Sequence, residues 1–306
     1  MTLPDAIQNH LHHLKESGYA ENTVDQASRN LRYFLNWCMD RNLQEIEEIT
    51  PTTLQRYQKH LYHYRQKNGQ PINFTTQGKR LSTLKRLFKW LFLQGHLSEN
   101  PALNIELPRR PKKLPPVLTT REAEKILSQP DTSTPLGIRD KALLELLYSS
   151  APTRTETEKL LLSHLDLEEG FLSIKARHNQ KGRLIPLTDR AVKWLKIYLS
   201  ESRPQLSNEG SPQALFLTKE GNALRGAHLG YIVSQHINLA DTDKKGSFGL
   251  FRHTLAALML EKGADIRFIQ ELLGHRSLES TRLYTKVSIR KLKEVHTKTH
   301  PGNKPT

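Results

Sequence analysis

The chain has 306 residues, of which 36% are hydrophobic and 25% charged, a balance that excludes low-complexity, collagen-like and membrane-embedded classes. The length suits two domains. The formal net charge of +15 points to a polyanionic partner, with nucleic acid the first candidate and an acidic membrane surface the second. No run of about 18 apolar residues and no signal-peptide pattern occurs, so the expectation is a cytoplasmic chain that neither spans a membrane nor is secreted. The single cysteine, Cys38, leaves no internal disulfide and no Cys-based zinc site. Set among Phe34, Leu35, Trp37 and Met39, it reads as a reduced core thiol.

Taken in order, residues 1–107 read as helical throughout. Leu3, Ile7, Leu11 and Leu14 recur at helical spacing, and Gly18 stops that helix. Asn22 or Thr23 starts a second, with Val24, Leu31, Phe34, Leu35 and Cys38 on one face. Thr50-Pro51 starts a third through Leu54, Tyr57, Leu61 and Tyr64, and Gly69 and Pro71 break it. A fourth runs from about Thr75 to Gln94 with Leu81, Leu84, Leu87, Phe88, Leu91 and Phe92 inside. Lys79, Arg80, Lys85, Arg86 and Lys89 interleave with these apolar positions. Such a stripe is either a clamp on a nucleic-acid backbone or a solvated charged face.

Residues 108–116, Pro-Arg-Arg-Pro-Lys-Lys-Leu-Pro-Pro, form the clearest boundary. The prolines forbid a helix and favour an extended linker, while Arg109, Arg110, Lys112 and Lys113 suit phosphate contact. A plain interdomain spacer is the alternative. From 117 onward a second domain is expected, spanning 117–306. Thr119 or Thr120 before Glu122 marks a helix start, and 138–148 an apolar helix. Residues 166–187 alternate as strands with tight turns, Gly170–Ile174 and Arg183–Leu187. More helices fill 188–240.

The last sixty or so residues carry a chemical constellation. Leu250-Phe251-Arg252-His253-Thr254 precedes Leu273-Gly274-His275-Arg276 and then Tyr284-Thr285. An arginine offers a planar fork of donors matched to phosphate oxygens. Histidine can hold or protonate another oxygen. A tyrosine hydroxyl can attack phosphorus and form a phosphotyrosine. No metal-ligand set lies nearby and no cofactor motif is present.

These motifs, with Gly263-Ala264-Asp265 between them, resemble the tyrosine recombinase (phage integrase, Xer-like) family, and the resemblance covers nearly the whole chain. It implies a mainly α architecture with a small β-sheet (α+β): an N-terminal helical core-binding domain and a C-terminal catalytic domain, forming a C-shaped clamp on double-stranded DNA. It also implies self-assembly, or assembly with sister recombinases, into a tetrameric synapse. A basic helix over 287–296 would pack on a neighbouring protomer, a frayed tail being the alternative. The implied chemistry is strand cleavage and rejoining by Tyr284 through a 3′-phosphotyrosine, with Arg252 and His275 stabilising charge on phosphorus.

Three of the six catalytic positions that the resemblance implies are substituted. Thr153 stands where the first arginine is expected, His178 where a lysine would protonate the leaving oxygen, and Gly249 where a histidine precedes Arg252. Arg154 lies one residue late, about 100° around a helix. His253 adjoins Arg252 and is expected to face the other way for the same reason. His178 is either an acid of a different pKa or an ordinary turn histidine. In the same turn, Lys181 and Arg183 suit phosphate contact. Loss of one transition-state donor costs about 2.7–4 kcal/mol. Two readings follow: a recombinase that is impaired or completed by a partner, and a catalytically silent DNA-binding accessory or decayed copy. A topoisomerase-like relative is a third, since it uses the same chemistry.

Overall fold

The computed structural model describes residues 1–66, 68–108, 114–176, 182–282 and 284. The chain divides into two compact units, Met1–Lys112 and Lys113–Thr306. The division falls inside the proline-rich stretch 108–116, whose Arg109, Arg110, Lys112 and Lys113 lie outside the described residues.

The first unit is built from four helices: α1 (Leu3–Glu16), α2 (Glu21–Met39), α3 (Pro51–His63) and α4 (Phe74–Leu93). Three of them begin where side-chain oxygens cap free backbone N–H groups. Thr2 accepts from Asp5, Thr50 from Thr53 and Asn73 from Thr76, and proline sits in the first turn of α1 and α3. Leu14, Leu31, Phe34, Leu54, Tyr57, Leu81, Leu87 and Phe88 meet in one core. Cys38 is buried there, and burial pushes its thiol pKa up to about 12.

The second unit surrounds one helix. It comprises α5 (Thr120–Leu127), α6 (Pro135–Ser150), α7 (Arg154–Glu158), β1 (Leu165–Asp166), β2 (Phe171–Ile174), β3 (Arg183–Pro186), α8 (Asp189–Ile197), α9 (Arg203–Leu206), α10 (Gly226–Leu239), α11 (Phe248–Glu261), α12 (Ile266–Leu273) and α13 (Leu278–Arg282). Helix α6 is buried nearly all round, and α5, α8, α10 and α11 pack against it. Its buried Glu145 is held by Lys141 at 2.9 Å and Arg190 at 2.8 Å. The three strands form an antiparallel sheet in sequence order, with Leu172 opposite Ile185 and Ile174 opposite Arg183. Helix α5 opens at the expected start with a capping box, in which Thr119 and Glu122 satisfy each other's backbone N–H.

Two backbone positions set up the site. Helix α6 ends at Ala151, which adopts a left-handed conformation (φ 46°). Helix α12 ends at Gly274 (φ 64°), where an added Cβ would lie 2.8 Å from Arg183 Nη1. Glycine is therefore favoured at 274 twice, by the left-handed turn and by the Arg183 guanidinium, which a Cβ would displace. Among the described residues, no helix is long and apolar enough to cross a membrane.

Candidate active site

The second turn of α11 presents Arg252 and His253. Arg252 Nη1 donates to the carbonyl of Ala151 at 2.8 Å, and Nη2 donates to the carbonyl of Leu273. Its fork is thus fixed between the end of α6 and the end of α12. Burial lowers the guanidinium's pKa while Glu156 works the other way, and an arginine in a protein remains a cation.

His275 follows the left-handed turn at Gly274. Its Nδ1 lies 2.9 Å from the hydroxyl of buried Thr281 on α13, which orients the ring. Burial, followed by the charge of Arg252, lowers its pKa to about 4. At neutral pH His275 is therefore an uncharged imidazole, able to donate one hydrogen bond but not to act as a cation.

Tyr284 is almost fully enclosed, 2% exposed, in an apolar cluster with Ala151, Ala256, Ile269 and Leu273. Burial pushes its hydroxyl's pKa up, and Arg252 offsets part of that. Its hydroxyl lies 2.8 Å from Nδ1 of His253. The expectation that His253 faces away from the site is therefore corrected. The 100° step from Arg252 turns its ring onto the tyrosine because Tyr284 approaches α11 from the side that the sequence could not supply. Burial, then Arg252, lowers the pKa of His253 too.

Thr153 takes on a structural role. It is the N-cap of α7, where its side chain accepts from Glu156 N and the Glu156 carboxylate accepts from Thr153 N at 2.7 Å. The pattern Thr-x-x-Glu was readable as a capping box. Arg154, the first residue of α7, lies along α10: a Cβ on Gly230 would be 3.5 Å from its Nη1. Gly249 is exposed, and the atoms nearest an added Cβ there belong to the His253 ring, at 3.8 and 4.0 Å. His178 and Lys181 lie outside the described residues.

Two of the expected DNA-contacting side chains are otherwise engaged. Arg183 is 8% exposed and forms a two-pronged ion pair with Glu156, itself 6% exposed, at 2.7 and 3.1 Å. Its Nε donates to the Leu272 carbonyl at 2.9 Å. It ties β3 to α7 and α12 and has no free face for a phosphate, so that expectation is corrected. Burial alone would raise the pKa of Glu156, but Arg183 and the Thr153 N–H outweigh it and hold the carboxyl below its ordinary value. Lys85 likewise caps the carbonyls of Leu103 and Ile105 at 3.0 and 2.8 Å instead of standing free. Lys79 is exposed, Arg80 stacks 3.7 Å over Tyr33, and Arg86 lies 5.8 Å from the centre of the Tyr19 ring. Sequence reasoning missed the Glu156–Arg183 pair, because neither residue lies in a spacing that announces its partner.

Residues 116–290 match the Phage integrase family, and residues 7–95 match the phage integrase N-terminal SAM-like domain. Tyrosine recombinase XerC 2 of Ralstonia nicotianae is 38% identical over 303 residues, covering 99% of this chain and 87% of the relative. Tyrosine recombinase XerD of Vibrio cholerae is 32% identical over 287 residues, covering 94% of this chain and 92% of that one. Among solved structures, a XerH site-specific recombinase bound to its palindromic difH substrate superposes with a TM-score of 0.72. It is 25% identical and covers 90% of this chain and 79% of that one. The Tn1549 transposon integrase in complex with transposon right-end DNA shares the fold, with a TM-score of 0.76 at 16% identity over 98% of this chain and 99% of that one. The mainly helical two-domain architecture, the small antiparallel sheet and the matches to both domains converge: the chain belongs to the phage integrase family of tyrosine recombinases.

Proposed function

We propose that this protein is a cytoplasmic site-specific DNA recombinase that binds duplex DNA with both domains and cuts it with Tyr284. One observation carries the reading: Arg252 is seated on the carbonyls of Ala151 and Leu273, Tyr284 packs in one cluster with those two residues, and His275 lies close enough to Arg252 to feel its charge. The Tyr284 hydroxyl oxygen forms a bond to phosphorus as the bond to the 5′ oxygen breaks. The products are a 3′-phosphotyrosine and a free 5′ hydroxyl. No net hydrolysis occurs, so another 5′ hydroxyl can reverse the step on a second strand. Arg252 and neutral His275 donate to the oxygens that gain charge. The recombinase names of the relatives and the binding of the XerH site-specific recombinase to its palindromic difH substrate support the substrate class. The net charge of +15 supports it independently.

The substituted positions define how this recombinase works. Thr153 is occupied as a helix cap and Gly249 carries no side chain, so the site lacks two donors that the family pattern places there. With His178 in the third position, chemistry by this chain alone is slow, and a synaptic partner with a full set of groups completes the reaction. A silent DNA-binding subunit is the second reading, favoured by the capping role of Thr153.

The test is trapping on a labelled, nicked suicide duplex followed by denaturing electrophoresis. The unmodified chain should give little or no adduct. Thr153→Arg, His178→Lys and Gly249→His together should raise it by orders of magnitude, and each alone should do little, because groups acting on one transition state are strongly non-additive. Tyr284→Phe in the restored background should abolish it. Absence of adduct from the triple variant, with folding and DNA binding intact, would favour the silent subunit.

A further inference from the structure

The family pattern places a histidine at 249, and this chain has glycine there. One helical turn later, on the same face of α11, stands His253. Its Nδ1 is 2.8 Å from the Tyr284 hydroxyl, and the two rings lie 5.7 Å apart at 49°. The space that a side chain at 249 would enter is open, bordered by the Nε2 edge of the His253 ring. We infer that His253 is the general base for Tyr284 in this protein, accepting the phenolic proton on Nδ1 as the tyrosine attacks phosphorus.

The proposal rests on the reading of Tyr284 as the nucleophile. The geometry suits proton transfer, since a base must lie about 2.6–3.2 Å from the proton donor. The proton state suits it as well. An imidazole accepts at Nδ1 only when neutral, with its hydrogen on Nε2, and burial together with Arg252 favours the neutral form. The groups that face this pair are Arg252 on the same helix, His275 after α12 and, through Arg252, the Glu156–Arg183 ion pair. Arg252 favours the tyrosinate and disfavours the imidazolium, so it eases loss of the phenol proton but limits how long His253 can hold it. In the full step the Oη–H bond breaks and its proton moves to Nδ1. The Oη–P bond forms, the P–O5′ bond breaks, and solvent protonates the departing 5′ oxygen. Reversal returns the proton from Nδ1 to Oη.

The pair can be read directly in the full-length protein by placing 3-fluorotyrosine at position 284 and following its fluorine resonance with pH. In the parent, the resonance should move in one step as His253 gains a proton and ceases to accept, at a pH below the ordinary histidine value of about 6.5. His253→Gln, which keeps a hydrogen-bond acceptor but cannot titrate, should remove that step, and His275→Gln should keep it. No step in the parent, or a step that survives His253→Gln, would overturn the proposal. A kinetic arm uses the Thr153→Arg/His178→Lys background, which leaves Gly249 in place. There His253→Ala should slow adduct formation on the nicked duplex by about 10²–10⁴-fold, with partial recovery on adding free imidazole. An unchanged rate would also overturn it. Because the fluorine titration needs no adduct, failure of His253 as base and failure of Tyr284 as nucleophile give different results.

Discussion

Glu156 and Arg183 offer the sharpest separation between a structural and a DNA-binding role. Both side chains are almost fully enclosed, at 6% and 8% exposure, and they meet through two short bonds of 2.7 and 3.1 Å. Glu156→Ala would strand the guanidinium in a protein interior, and removing one partner of a buried pair costs about 3–5 kcal/mol. It also deletes the acceptor for the Thr153 N–H at the start of α7. For a domain of this size about 4 kcal/mol corresponds to a fall in Tm of roughly 8–16 °C. Arg183→Met together with Glu156→Leu should recover much of that, since two apolar residues leave no charge uncompensated. Urea denaturation and thermal melting of the full chain measure the loss. DNA affinity against salt measures the alternative, because loss of a phosphate contact would lower the salt slope by about one unit. If Arg183→Ala lowered the slope while leaving stability within about 1 kcal/mol of the parent, the assignment of Arg183 as a strut would be refuted.

Other consequences can be measured in the same preparations. Duplex binding should weaken steeply with salt, with a log–log slope of about −5 or beyond for six or more phosphate contacts; a shallow slope would remove DNA as the partner. Alanine at Arg109, Arg110, Lys112 and Lys113 should weaken binding about equally across sequences, as phosphate contacts position rather than specify, and unchanged affinity would leave the stretch a spacer. His10 is buried at 1% exposure with no hydrogen-bond partner on either ring nitrogen among the described residues, and burial, then Arg86, lowers its pKa to about 4. The unfolded chain therefore takes up a proton at higher pH than the folded one. Stability should be full above pH 6.5 and fall towards pH 4 by up to about 3 kcal/mol from this group. His10→Leu should flatten that fall in urea titrations at pH 7.5 and 5, and an equal fall in the variant would count against it.

The helices of the first unit were legible because apolar periodicity and capping residues agree there. Thr50 and Pro51 announce a helix start, and Leu81, Leu84, Leu87 and Phe88 announce a buried face, while the fourth helix begins at Phe74 behind an Asn73 cap, one residue ahead of the expected Thr75. The family was legible for a different reason: arginine, histidine and tyrosine in that order form a pattern that few other families share. What could not be read was which groups spend their hydrogen bonds elsewhere. Lys85 and Arg183 carry the charge expected of a phosphate contact, but the carbonyls and carboxylate that claim them come from distant segments. The contact between His253 and Tyr284 was hidden similarly. Rotation along α11 fixes its angle relative to Arg252, but not the direction from which Tyr284 arrives.

The anchoring of Arg252 bears on how this protein tolerates change. Its two described partners are main-chain carbonyls, those of Ala151 and Leu273. Any amino acid brings such a carbonyl, so the side chains at 151 and 273 bear on the seat of the arginine only through their packing and through where they let α6 and α12 end. A lineage can then exchange residues around this arginine, one at a time, without dislodging it. If Thr153 and Gly249 are departures from the family pattern, as proposed above, they leave the guanidinium in its place, and changes at those two positions would add donors to an intact frame.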